Sequence, residues 1–234
     1  DRFGADDVAS AFNHFSSLAA EAIVVIAPVD SLAEAVASQG ASVPVVAVSG
    51  GRAFGRGVSV VHADQRGGAR ALAEHLMSLG HRDIVCVAGP QEWFEARERV
   101  AGWREAMDEA GLSKREPLVG SWEARWGYVA GQNLVEDGLP DAVMCANDEV
   151  AVGLLRAFAE AGVSVPGDVS VAGFDDVPMA AYAGPGLTTV RQDFADLGRC
   201  ALEAVSRALD GETVDTYVRP TRLIVRGSTG VCPR

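Results

Sequence analysis

The chain is poor in positive charge. Lys114 is its one lysine, and 20 Lys and Arg stand against 32 Asp and Glu, for a formal net charge of −12. A surface of that sign excludes a phosphate-backbone grip by these residues, which requires a basic footprint. No apolar run reaches the ~18 residues of a membrane span, so an integral membrane protein is not expected. The opening Asp1-Arg2-Phe3-Gly4-Ala5-Asp6-Asp7 is acidic and is followed by no apolar core of a secretory signal. The four cysteines, Cys86, Cys145, Cys200 and Cys232, are far apart and form no CxxC, which argues against a metal centre and for buried, reduced thiols. GxGxxG, GxxxxGK[ST] and GxSxG are all missing, and none of His14, His62, His75 and His81 has a Ser or Cys nucleophile beside it in sequence. No catalysis and no cofactor are expected.

What is present is alternation. The 234 residues are 48% hydrophobic and 22% charged, globular values. Short β-branched runs at 22–27, 44–48, 58–62, 84–88, 117–120, 142–146, 169–174 and 188–191 read as strands. Most are continuously apolar, as expected of parallel strands covered on both faces. Amphipathic stretches near 7–19, 30–39, 66–79, 93–110, 126–137, 149–161 and 194–209 read as helices. Gly80, Gly111, Gly138, Gly162 and Gly211 follow five of them at the position of a C-terminal cap. The class is α/β with mostly parallel sheets.

In such sheets ligands bind beyond the carboxyl ends of strands. Ser49 closes 44–48, Asn147-Asp148 closes 142–146, and Asp175-Asp176 closes 169–174. Short polar side chains there either bond a ligand hydroxyl or cap the next helix, and both readings stand for each. Trp103, Trp122 and Trp126 offer aromatic faces or core, and Arg97 and Arg99 offer cationic forks. Indole faces beside Asp, Asn and Arg suit a polyol, whose apolar side is covered while its hydroxyls pair. The run Gly50–Gly57 reads as a surface loop, since no Lys or Ser/Thr stands at phosphate-loop spacing. His81, just past Gly80, is expected to bond the last carbonyls of the preceding helix.

From His62 onward a series of stretches resembles the effector-binding core of the LacI/GalR family of bacterial transcriptional regulators. They include Ala63-Asp64-Gln65-Arg66-Gly67-Gly68-Ala69, Glu74-His75-Leu76-Met77-Ser78-Leu79-Gly80-His81, Arg97-Glu98-Arg99-Val100-Ala101-Gly102-Trp103, Ala146-Asn147-Asp148-Glu149, Val165-Pro166-Gly167-Asp168-Val169-Ser170 and Leu187-Thr188-Thr189-Val190-Arg191-Gln192-Asp193. Their order and spacing carry the specificity. The resemblance implies a two-lobed fold like the type I periplasmic binding proteins, with a small effector in the interlobe cleft. One lobe would comprise 1–61 plus 192–217 and the other 65–189 plus 221–234, with crossovers near 62–64, 190–192 and 219–221. Effector contacts would be Ser49, Arg99, Trp122, Asn147, Asp175, Gln192 and Phe194. The Arg97-x-Arg99 spacing and Trp122 match a sugar-responsive member and lean toward a saccharide, while purine and other non-sugar effectors occur in the same family. Where that member carries Asp, this chain has Ser49.

The resemblance further implies a cytoplasmic homodimer that meets operator DNA through a helix-turn-helix domain not in this sequence. The first strand, first helix and second strand of the N-terminal lobe also fall outside it, which is expected to leave a sheet edge open. Dimer contacts are expected from the helix beginning at Glu149, the Met179–Tyr182 turn and Ala195–Leu209. The alternative is a solute-binding protein of an ABC transporter, which shares the fold but needs an exported start.

Overall fold

The computed structural model describes residues 5–38, 43–50, 54, 57–212 and 216–233. Most of the Gly50–Gly57 run lies outside the described residues. In chain order the elements begin α1 (Ala5–Ser17), β1 (Ile23–Ile26), α2 (Asp30–Ser38), β2 (Val45–Val48), β3 (Val58–Ala63), α3 (Gln65–Ser78), β4 (Ile84–Ala88) and α4 (Phe94–Glu109). They continue β5 (Leu118–Val119), α5 (Ala124–Asp137), β6 (Ala142–Cys145), α6 (Asp148–Glu160), β7 (Ser170–Ala172), a 3-10 turn (Pro178–Tyr182), β8 (Thr189–Arg191), α7 (Phe194–Leu209), β9 (Thr216–Arg219) and β10 (Arg222–Ile224). All eight expected strands and seven expected helices occur, and β9 and β10 are additional.

Cα proximity divides the chain into two compact units. The first comprises residues 1–64, 92–95 and 193–220; the second comprises 65–91, 96–192 and 221–234. In the first unit four parallel strands lie in the order β1-β2-β3-β9. Alternate residues of β2 serve opposite faces. Val45 and Ala47 pack with Phe12, Ala33 and Val36 of α1 and α2, while Val46 packs with Leu197, Ala201 and Ala204 of α7. β1 is an edge, and its Val24 and Ile26 are exposed.

The second unit repeats the scheme with parallel strands β5-β4-β6-β7. β4, β6 and β7 are buried along their whole length, which explains their unbroken apolar sequences. On one face Ile84, Cys86 and Met144 meet Leu72 and Leu76 of α3 and Trp103 and Met107 of α4. On the other, Val85, Val87 and Val143 meet Leu134 of α5 and Leu154 and Phe158 of α6. α5 and α6 approach until their backbones touch. A Cβ at Gly127 would lie 1.9 Å from the Val150 carbonyl oxygen, and one at Gly153 would lie 1.8 Å from that of Ala124. Only glycine fits either place. β8 and β10 form a separate antiparallel ribbon.

The five capping glycines all have positive φ, from 66° to 108°. Cys86, Cys145 and Cys200 are buried free thiols. Burial pushes the Cys86 thiol up to about 12 and raises that of Cys145 well above its ordinary value, so neither forms a thiolate nucleophile at neutral pH. Trp103 is wholly buried in the core and offers no face to a ligand. His81 does not cap α3 with its ring. Its Nε2 lies 3.0 Å from the Gly230 carbonyl, so the imidazole ties the C-terminal segment instead.

Candidate ligand-binding site

The second unit collects chemistry at the carboxyl ends of β4, β6 and β7. The strand order makes these ends neighbours, and each is followed by a residue suited to the place. After β4 comes Gly89, against whose backbone the Trp122 indole lies: an added Cβ would meet the ring at 2.7 Å. After β6 comes Asn147, the N-cap of α6. Its Oδ1 accepts from the Val150 N–H at 2.8 Å, while its Nδ2 donates to the Trp122 carbonyl at 3.0 Å. The capping and site readings of Asn147 therefore coincide, because the cap residue also holds the segment that carries Trp122.

After β7 come Gly173, Phe174 and the two aspartates. Asp175 takes φ 107° and Asp176 φ 55°, both in the left-handed region that non-glycine residues rarely enter. The turn sends the two carboxylates to different partners. Asp176 accepts from Arg191 Nε at 2.5 Å and Arg226 Nη2 at 2.7 Å, and so fastens the turn to β8 and to the segment after β10. Asp175 Oδ1 accepts from Arg99 Nη2 at 3.0 Å. Asp148 pins the same turn, accepting from Thr189 Oγ1 at 2.6 Å and from the Val177 N–H at 2.9 Å. Burial raises the Asp148 carboxyl to about 6 against the pull of those two hydrogen bonds, and the nearby charges of Asp175 and Asp176 add to the rise.

Arg99, on α4, is buried and is held on every side. Its guanidinium lies 3.9 Å from the Phe174 ring centroid and 5.5 Å from that of Trp122. Nη1 donates to the Ala146 carbonyl at the end of β6, and Nε donates to Gln65 Oε1 at 2.9 Å. Gln65 Nε2 donates to Gln192 Oε1 at 2.7 Å, and Gln192 Nε2 donates to Asp175 Oδ1 at 2.7 Å. The planar cation stacked on rings and paired to a carboxylate is a geometry that arginine provides and lysine does not.

Five of the seven residues expected to contact a ligand thus stand together: Arg99, Trp122, Asn147, Asp175 and Gln192. The other two are in the first unit. Ser49 is buried at the end of β2 and donates its hydroxyl to the Ala27 carbonyl at 2.8 Å. Phe194 is the first residue of α7 and is 60% exposed. Trp126 is only half-buried; its Nε1 donates to the Ala88 carbonyl at 3.1 Å and its ring covers Gly120. Gln65 was not anticipated, although it lies inside a stretch that carried the family resemblance.

A parallel α/β unit with an ion pair, two amides and an indole gathered at its strand ends has the build of a small-molecule-binding module. The sequence matches the family of periplasmic binding protein-like domains over residues 73–229. The lactose operon repressor of Escherichia coli K12 is 34% identical over 164 residues, 69% of this chain and 46% of that protein. A structure of the lac repressor dimer bound to operator and the anti-inducer ONPF is similar with a TM-score of 0.86 at 29% identity, covering 98% of this chain and 80% of the other. A transcriptional regulator CelR–cellobiose complex is similar with a TM-score of 0.84 at 30% identity, covering 95% and 70%. The chain belongs to the periplasmic binding protein-like domains of the LacI family of regulators. It spans about half the length of the lactose operon repressor it matches.

Proposed function

We propose that the chain is the effector-sensing and dimerisation core of a LacI-type transcriptional regulator and that its effector is a saccharide. The observation that carries this reading is the Arg99–Asp175 pair beside the Trp122 indole, three groups from three separate stretches of the chain converging in one unit. A sugar hydroxyl both donates and accepts, which matches a guanidinium next to a carboxylate, and the C–H face of a sugar ring matches an indole. The cellobiose complex of CelR supports the ligand class. Asn147 and Gln192 serve the same ligand, and Ser49 and Phe194 are further contacts from the first unit.

The division into lobes of 1–61 plus 192–217 and 65–189 plus 221–234, with crossovers near 62–64, 190–192 and 219–221, belongs to this reading. An effector shifts such a molecule between states only by its differential affinity, typically ~1–3 kcal/mol of coupling. The readout is operator DNA, met through a helix-turn-helix domain outside this sequence, in a cytoplasmic homodimer. Exposed Met179 and Tyr182 of the 3-10 turn, and Leu202 and Leu209 of α7, supply apolar surface for dimer contacts, and α6 from Glu149 contributes to the same contacts. The chain performs no catalysis on this reading, in keeping with relatives that are repressors. Those relatives do not favour the transporter-component alternative.

The test is thermal unfolding against a panel of mono- and disaccharides, cellobiose among them, with Asp175→Ala alongside. A ligand at 100 times its Kd adds about 2.7 kcal/mol, roughly 5–10 °C for a chain of this size. A shift that disappears in Asp175→Ala supports the reading. A flat panel with a cooperative melt overturns the saccharide assignment.

A further inference from the structure

Arg99, Gln65, Gln192 and Asp175 form a closed ring of four hydrogen bonds. Its direction is fixed by chemistry. A guanidinium only donates, so the oxygen of Gln65 faces Arg99 and the amide nitrogen of Gln65 is left to face Gln192. A carboxylate only accepts, so the nitrogen of Gln192 faces Asp175 and its oxygen receives Gln65. All four side chains satisfy one another in one arrangement only. Three of them are nearly inaccessible, with Gln65 at 5%, Arg99 at 5% and Gln192 at 8% exposure, so an unmade bond there is costly.

The two glutamines also hold particular places in the chain. Gln65 is the first residue of the second unit after Asp64, and Gln192 is the last before Asp193. They are 127 positions apart in sequence, and one 2.7 Å hydrogen bond closes that span. We propose that Gln65 is a positioning residue of the ligand site: it sets the Arg99 guanidinium for Asp175 and, through Gln192, couples that pair to two points at which the chain passes between its units. The proposal rests on the reading that Arg99 and Asp175 meet the ligand. A ligand hydroxyl bonded to Asp175 Oδ1 competes there with the Gln192 amide, and Gln192 released from Asp175 loses the orientation that suits Gln65. Occupancy is in this way felt at residues the ligand need not touch.

Hydrogen exchange on the full chain tests the ring without a ligand. The variants are Asp175→Asn, Gln65→Met, the two combined, and Gln65→Glu. Asp175→Asn is expected to lower protection several-fold in 62–69, far from it in sequence, and Gln65→Met added to it is expected to lower protection there no further. Changes confined to 172–178 and 188–194 in Asp175→Asn, or additive losses in 62–69, overturn the proposal. Gln65→Glu supplies a readout that simple loss of packing does not. Ionised, it accepts from Arg99 but gives Gln192 no donor; protonated, it replaces both functions of the amide. Its protection in 62–69 relative to wild type at the same pH is expected to recover as pH falls toward 4, and a ratio that does not change with pH also overturns the proposal. Titration with cellobiose keeps the two ideas apart. About tenfold weaker binding to Gln65→Met is expected. No heat with the wild-type chain counts against the sugar reading, while the protection factors still decide the ring.

Discussion

Asp148 makes the pH dependence of stability calculable at one position. Its carboxyl is buried under the turn that carries Asp175 and is raised from 3.8 to about 6. A folded state that raises an acid's pKa favours its protonated form. The contribution to stability is therefore complete below about pH 4 and is lost as pH rises through about 6. Two units at 1.36 kcal/mol each make that contribution about 3 kcal/mol, or about 6–12 °C in midpoint for a chain of this length. The assay is thermal unfolding of wild type and Asp148→Asn at intervals from pH 4 to 7.5. Asparagine keeps an oxygen for Thr189 and turns an NH2 group toward the Val177 N–H, a loss that does not vary with pH. Acids of opposite tendency, such as Asp196 held below its ordinary value by Arg219, are common to both proteins and cancel. The midpoint of Asp148→Asn minus that of wild type should climb between pH 4 and 7. A flat difference would refute the argument that burial dominates this carboxyl.

Two substitutions test the places where backbone stands in for a side chain. Gly89→Ala puts a Cβ 2.7 Å from the Trp122 ring and should turn the indole away; we expect altered tryptophan emission and weaker cellobiose binding, with only about 1–3 kcal/mol of overpacking cost in a urea titration. Gly153→Ala meets the Ala124 carbonyl at 1.8 Å, where neither helix backbone can yield. It should lower the urea midpoint more than Gly89→Ala does, because there the neighbour is a movable ring.

The buried strands were legible because covering a parallel sheet on both faces demands unbroken apolar runs, and β4 and β6 have them. β9 and β10 were not, since they are short, lie at an edge or in a two-stranded ribbon, and show neither an unbroken apolar run nor alternation in Thr216–Arg219 and Arg222–Ile224. The strand expected over 169–174 ends early because Gly173 and Phe174 already belong to the turn that strains Asp175. Asn147 and Asp175 were within reach of a general rule about strand ends. Arg99, Trp122 and Gln192 needed the family resemblance, as nothing in local spacing brings them to those ends. Gln65 had no signal of its own: its partners Arg99 and Gln192 are 34 and 127 residues away. The opposite duties of Asp175 and Asp176 depend on two positive φ angles, which an Asp-Asp pair does not announce.

The backbone contact between α5 and α6 has a mechanical consequence. Two helices touching through Gly127 and Gly153 leave no layer of side chains that can shear, so they behave as a single stiff plate. The N-terminal edge of that plate carries Asn147, which grips the Trp122 carbonyl, and Asp148, which grips the turn bearing Asp175. The aromatic wall and the acidic wall of the site are thus mounted on one rigid part, and the spacing between them is set by the two glycines rather than by either wall.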